Sequence, residues 1–370
     1  MRILVLYVSV GTGHMKAAEA LRESFEKQFK GWSVDVVDTL KYINPIVDKV
    51  IVNTYLRTLR ISPKLYSRLY TASHTGSGIY DISKALNKLL SYRLKGLIDD
   101  YSPSAIVCTH PFPLQMLSSL KQSNKLDIPA IAILTDYVIH SLWLDNGMDA
   151  FIVSNEIMKT EMIKRGIPGS IIFPFGIPVS PKFLTKTDKS RLRSELGLEN
   201  KFTVLVMGGG MGFGNIQSTM ASLLNCDLDI QIIAVTGTNQ KLKYQLDAYA
   251  KNCNKKVLVL SYTEKINELM DISDLLITKP GGMTVSEALV KELPIFIDSP
   301  IPGQEEGNAS FLIRNGVGSK IENSDHLVNV LSQVANDPAT LNTMRRNSKF
   351  LGKPNSSDDI ASLLKKLVSG

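Results

Sequence analysis

Apolar residues in this chain fall into short unbroken runs, and between the runs they recur every three or four positions. The runs "ILVLYV" (3–8), "AIVC" (105–108) and "IPAIAIL" (128–134) have strand length. They carry no polar interruption, as strands buried on both faces of a sheet do. Strands are predicted at 2–8, 33–38, 104–108, 129–134, 150–153 and 170–173, and then at 202–207, 229–235, 256–260, 274–278 and 294–298. The intervening periodicity predicts helices at 14–29, 80–99, 112–122 and 155–165 in the first half. In the second half it predicts them at 215–224, 239–251, 264–271, 283–291, 305–314 and 325–336. Such alternation is the signature of parallel sheets covered by helices.

Between the halves lies "PFGIPVSPKFLTKTDKS" (174–190), rich in proline and polar residues. Proline fixes φ and lacks an amide donor, so this stretch reads as a linker. Each half has a glycine-rich turn after its first strand, "SVGTGH" (9–14) and "GGGMGFGN" (208–215). A length of 370 residues suits two domains. The fold class expected is α/β, two Rossmann-like doubly wound domains whose strand C-terminal ends face each other across a cleft. The first domain is expected over 1–180 and the second over 181–352, with an N-capped amphipathic helix closing the chain within 353–370.

Composition narrows the setting. Three widely spaced cysteines, Cys108, Cys226 and Cys253, argue against a disulfide framework or zinc site and fit a reducing cytosol. Arg2 leads straight into a strand with no signal-peptide pattern. No apolar run approaches the roughly 20 residues needed to span a bilayer. The net charge of +7 is concentrated between Lys41 and Asp100, where six Lys and four Arg face four Asp and no Glu. The same segment carries Tyr42, Tyr55, Tyr66, Tyr70, Tyr80 and Tyr92. Interleaved basic and aromatic residues suit an anionic bilayer surface, although composition alone favours a solvated helical face. Residues 41–80 also break the strand–helix rhythm, as an insertion near a site does.

The loops carry the candidate chemistry. In "GTGHMK" Gly11 and Gly13 permit a tight turn, but Lys16 stands where a dinucleotide fingerprint needs its third glycine. Asp38, at the end of the second strand, leaves an NAD reading open; His14, at the mouth of the turn, is unexplained by it. "TKPGGMTVSEAL" (278–289) sets Gly281 and Gly282 before a helix containing Thr284 and Glu287. A helix start of that kind offers free amides and a positive dipole to a diphosphate. Glu287 either accepts bonds from ribose hydroxyls or complements the helix dipole. "SPIPGQEEGN" (299–308) presents Gln304, Glu305, Glu306 and Asn308, a donor and acceptor set suited to sugar hydroxyls or, more plainly, an acidic helix start. A phosphate-type helix start and a polyol-type loop on successive strands point to a nucleotide sugar.

Together "SVGTGHMKAAEAL", "TDYVIHSLW" (135–143), "GIPVSPKF" (176–183), "MGGGMGFGN", "ITKPGGMTVSEAL" and "PIPGQEEGN" resemble the GT-B glycolipid glycosyltransferases. That family comprises the processive diacylglycerol beta-glucosyltransferases and the monogalactosyldiacylglycerol synthases. The resemblance implies an inverting transfer of glucose or galactose from a UDP-sugar to the hydroxyl of diacylglycerol, once or several times. It implies His14 as general base; Asp136 either orients it, meets the acceptor or, more plainly, caps the next helix or turn. UDP-sugar would be held by Gly210, Gly212, Phe213, Tyr262, Lys279, Gly281, Gly282, Thr284, Glu287, Gln304, Glu305 and Asn308. Gly11, Gly13 and His140 would line the acceptor side, and Tyr55, Arg57, Arg60, Lys64, Tyr66 and Arg68 would meet anionic membrane lipids. His140 also fits a packed structural histidine. The terminal helix would return to the first domain.

No DxD-like motif is present, so no metal and no cofactor beyond the UDP-sugar co-substrate are expected. The partners expected are the donor, diacylglycerol and anionic lipids, without nucleic acid, at the cytoplasmic face of the cell membrane as a peripheral protein. Two alternatives stand beside this reading. One is a polyprenyl-diphosphate-linked acceptor, and the other is a non-catalytic UDP-sugar sensor at the membrane.

Overall fold

A computed structural model describes residues 1–45, 79–210, 212 and 214–369, with side chains in the helix Ile79–Tyr101 described from residue 90. Tyr55, Arg57, Arg60, Lys64, Tyr66, Arg68 and Phe213 lie outside the described residues. The chain forms two compact units. One comprises Met1–Pro181, Pro302–Gln304 and Lys353–Gly370, and the other Lys182–Ile301 and Glu305–Gly352.

In the first unit β1 (Arg2–Tyr7), β2 (Ser33–Asp38), β3 (Ala105–Cys108), β4 (Ala130–Ile133), β5 (Ala150–Ile152) and β6 (Ile172–Phe173) form a parallel sheet. Its order is β2-β1-β3-β4-β5-β6. Alternate residues enter two separate cores. Leu4, Leu6, Ile106, Cys108, Ala130 and Ala132 point to one face, and Ile3, Val5, Ala105, Val107, Ile131 and Ile133 to the other. Both faces are covered at β1, β3, β4 and β5, so these strands read as apolar runs, whereas the edge strand β2 alternates. The order reverses between β1 and β3, and the loops leaving that point are where doubly wound sheets place their ligands.

The helix Gly13–Gln28 buries Ala18, Leu21 and Phe25 against the second of these cores. Beside it lies the last helix, Ser356–Ser369, whose Ile360, Ala361 and Leu364 are fully buried in the same core. Polar contacts hold that helix in register. Ser356 Oγ donates to Gly176 O at 2.7 Å, and Gln28 Nε2 donates to Asp358 Oδ1 at 2.6 Å. The Lys365 ammonium lies 4.0 Å from the ring of Phe29, which stacks on Trp32.

The second unit contains β7 (Phe202–Met207), β8 (Ile230–Val235), β9 (Val257–Leu260), β10 (Leu275–Thr278), β11 (Ile295–Ile297) and β12 (Gly318–Lys320). Their order is β12-β11-β10-β7-β8-β9, again all parallel. The first strand of the unit, β7, lies beside β10 at the reversal, as in a dinucleotide-binding fold. Three elements here escaped the periodicity. Strand β12 is three residues long and none is buried. The helix Pro338–Leu351 buries only Leu341 and Ser348, so it has little apolar rhythm. The helix Lys189–Glu195 begins inside the stretch read as linker. It is tied down by Arg193, whose guanidinium donates to Ile272 O and to Asp274.

Candidate active site

Helix Gly13–Gln28 starts directly after the turn that follows β1, with Gly11 in the left-handed region at φ +79°. A side chain at Gly11 would meet no atom within 4 Å, so backbone conformation, not crowding, calls for glycine. His14 is the second residue of the helix. Its Nδ1 lies 2.6 Å from the carbonyl oxygen of Thr109, at the end of β3, and 3.0 Å from Thr135 Oγ1, at the end of β4. A carbonyl oxygen can only accept, so Nδ1 carries the proton and Nε2 keeps its lone pair. Thr109 closes the contact from the other side, its hydroxyl donating to His14 O at 2.9 Å.

Burial lowers the His14 pKa from the ordinary 6.5 to about 4, while the bond to Thr109 works in the opposite direction. The positive end of the helix dipole disfavours the cation as well. His14 is therefore neutral at neutral pH. His110, the residue after Thr109, lies edge-on to it with ring centroids 4.5 Å apart. Its Nδ1 caps the helix Pro111–Gln122 by accepting from Phe112 N at 3.1 Å.

Neither Thr109, His110 nor Thr135 was singled out from the sequence. The signal was present in "CTHPFP", where Thr and His sit between an apolar strand and a proline at the start of a helix. Asp136 follows Thr135 and is half-buried. His140 is buried, and its Nδ1 accepts from Leu142 N at 3.2 Å to cap the short turn Ser141–Trp143. The Asp38 carboxylate, which an NAD reading needs for ribose, accepts from Ser9 Oγ at 2.5 Å and caps the helix Thr39–Ile43.

The second unit gathers a different set at its own strand reversal. After β7 the backbone turns through Gly209, Gly212 and Gly214, all at positive φ. A Cβ on Gly212 would stand 2.1 Å from Thr236 O, so this glycine lets the loop close on the neighbouring turn. Gly210 O accepts from Thr238 N at 3.0 Å in the same contact. Gly214 packs over the aliphatic stem of Lys279.

After β10, Gly281 N-caps the helix Gly282–Val290 at φ −65°, where a Cβ would meet nothing within 4 Å. Neither packing nor conformation requires glycine there, which leaves an open approach to the free amides of the helix start. Glu287 is the sixth helical residue, and no acidic residue occupies the first turn. The helix dipole fades within that turn, so it does not account for Glu287. Thr284 is half-buried in the first turn.

Lys279 Nζ lies 3.5 Å from Glu305 Oε2, and the same carboxylate oxygen accepts from Ile301 N at 2.7 Å. Glu305 and Glu306 do occupy the first turn of the helix Gln304–Arg314, so there the dipole contributes. Asn308, grouped from the sequence with the sugar-facing residues, is fully buried, and its amide donates to Pro280 O at 2.9 Å. It braces the Pro280–Gly281 turn from below. Asp298, unremarked in the sequence, accepts from Thr219 Oγ1 at 2.9 Å and from Ser299 Oγ at 2.7 Å, anchoring the loop after β11. Tyr262 is exposed in the loop after β9.

Among the described residues, no three or more His, Cys, Asp or Glu side chains are grouped to hold a metal ion, and no helix is long and apolar enough to cross a membrane.

Comparison with known proteins matches both units. Residues 14–179 fit the monogalactosyldiacylglycerol (MGDG) synthase family, and residues 203–364 fit the glycosyltransferase family 28 C-terminal domain. Acinetobacter baumannii MurG shares the fold at a TM-score of 0.63, with 15% identity over 99% of both chains. UDP-GlcNAc 2-epimerase from Neisseria meningitidis shares it at 0.64, with 13% identity over 99% of this chain and 100% of that one. These likenesses establish the two Rossmann-like domains of a GT-B fold, and an epimerase among them means that fold alone does not select a reaction. Sequence does. The processive diacylglycerol beta-glucosyltransferase of Bacillus pumilus (strain SAFR-032) is 30% identical over 369 residues, spanning 97% of this chain and 93% of its own. That of Bacillus subtilis (strain 168) is 30% identical over 370 residues with the same coverage. With that identity along nearly its whole length, the chain is a glycosyltransferase of the diacylglycerol beta-glucosyltransferase family.

Proposed function

We propose that this enzyme transfers a hexosyl group from a UDP-sugar to the hydroxyl of diacylglycerol with inversion at the anomeric carbon. The observation that carries the reading is the His14 imidazole held by the Thr109 carbonyl. Its Nδ1 proton is committed to Thr109 O, and its Nε2 lone pair is left to act as a base. As the lipid oxygen attacks C1 of the sugar, its proton passes to Nε2. The C1–O bond to UDP breaks, and the electron pair leaves on the β-phosphate oxygen. The positive charge gained by His14 is supported by the short bond to Thr109. The charge gained by UDP falls to the helix start at Gly281 and Gly282 and to the Lys279 ammonium. These fixed positive groups support a metal-independent departure. Glu287 is assigned to the ribose, Gln304 and Glu305 to the sugar hydroxyls, and Tyr262 to the uracil side. Asp136 is assigned to the acceptor side of His14.

Diacylglycerol leaves a bilayer at a cost of about 0.8 kcal/mol per CH₂, so the enzyme works at the membrane surface. The basic and tyrosine-rich stretch 41–100 supports docking on anionic lipids at the cytoplasmic face.

The test supplies radiolabelled UDP-glucose or UDP-galactose with diacylglycerol vesicles and compares the wild type with His14→Ala. Lipid-linked product from the wild type alone is expected. Absence of product from both donors overturns the assignment.

A further inference from the structure

We propose that His110 is a positioning residue for His14, holding the base edge-on at one angle while its neighbour Thr109 fixes the tautomer. The dipeptide Thr109–His110 grips His14 in three ways. The Thr109 carbonyl accepts from the ring, the Thr109 hydroxyl donates to the His14 backbone, and the His110 ring packs against the imidazole at an interplanar angle of 73°. His110 is itself closely held. It is 6% exposed, its Nδ1 caps the next helix, and its ring lies 5.1 Å from that of Phe112.

Capping does not by itself require a histidine, since Ser, Thr, Asp or Asn serve as well and leave no ring to bury. Packing does not require one either, since a phenylalanine fills the space without a buried polar atom. Histidine is the side chain that offers an acceptor for Phe112 N and a flat aromatic edge for His14 at once. Because β3 lies directly beside β1 in the sheet, this dipeptide leaves its strand level with the turn that launches His14. An imidazole wedged between a carbonyl, a hydroxyl and a ring cannot flip to offer Nδ1 in place of Nε2.

The inference rests on His14 being the base and is tested separately from it. Two full-length variants divide the duties of His110. His110→Asn keeps a cap acceptor and removes the ring, and His110→Phe keeps the ring and removes the acceptor. With UDP-glucose and diacylglycerol vesicles, His110→Asn is expected to lower kcat about tenfold or more, since small misplacements of a reacting group are costly, with the KM for UDP-glucose within about a factor of two. His110→Phe is expected to keep most of kcat while melting at a lower temperature. Wild-type kcat in His110→Asn, or an equal loss in both variants, overturns the proposal.

Ring-nitrogen NMR of the wild type gives a second reading independent of how either variant folds. A single Nδ1–H tautomer of His14 is expected, and a mixture of tautomers overturns the clamp. If His14→Ala retains turnover, the base assignment fails and the clamp with it. If His14→Ala is inactive and His110→Asn is unimpaired, the clamp alone fails.

Discussion

His14 and Thr109 are 95 residues apart in the chain, and the imidazole Nδ1 of one meets the carbonyl oxygen of the other at 2.6 Å. This contact decides which nitrogen is basic and, with burial, how basic it is. His14→Ala should abolish transfer while leaving UDP affinity unchanged in calorimetry, because the groups proposed to hold the donor follow other strands.

The same contact sets a pH dependence. The His14 pKa is lowered to about 4, so the acid limb of kcat/KM should lie near pH 4 to 5, not near the 6.5 of a free histidine. Stability follows with a defined sign. Between pH 6.5 and 4 the unfolded chain binds a proton at His14 that the folded chain refuses. Stability is therefore lost as pH falls through that window, at no more than about 1.4 kcal/mol per pH unit for this group. His110 is lowered in the same direction by burial and by His14. Urea unfolding at pH 7, 6 and 5 should show a shallower decline in His14→Gln than in the wild type.

Gly212 and Gly281 should respond oppositely to alanine. Gly212 has φ +62° and a carbonyl 2.1 Å from where a Cβ would stand, so Gly212→Ala should lower the melting temperature. Gly281 has ordinary φ and open space, so Gly281→Ala should melt like the wild type and lose UDP affinity. Thermal shift with and without UDP reads both effects.

Lys279 and Glu305 pair with each other at 3.5 Å. Lys279→Met should weaken UDP about tenfold, the order of one charge-assisted contact. Glu305→Gln should leave UDP affinity close to the wild type and reduce the preference for UDP-glucose over UDP. Calorimetry with the two ligands separates these outcomes.

Leu364 is fully buried on the last helix, in the core of the first unit. Leu364→Ala should cost about 2–5 kcal/mol in chemical unfolding. The surface change Lys366→Ala on the same helix should cost little.

Much of this was legible along the chain. The strand runs are legible to within a residue or two because the central parallel strands are apolar on both faces, and "TKPGG" and "PGQE" stand out because they interrupt that pattern with polar groups at strand ends. Helix Pro338–Leu351 and strand β12 were not legible, since so few of their residues enter a core. The sequence leaves the helix start open, and the structure places it at Gly282, five residues before Glu287. The bracing bond from the Asn308 amide to Pro280 O is invisible in the sequence, because it joins residues 28 positions apart.

The residue types at each strand end, the two glycine turns and the presence of a histidine in the first of them belong to the sequence alone, because local periodicity and turn chemistry are local properties. Which groups surround that histidine was decided only by tertiary structure. Thr109 and Thr135 lie 95 and 121 residues from His14. They converge on it because β1, β3 and β4 are neighbours in one parallel sheet. Parallel strands end on the same side, so side chains distant in sequence meet at one edge, and no local pattern records which strands will lie side by side.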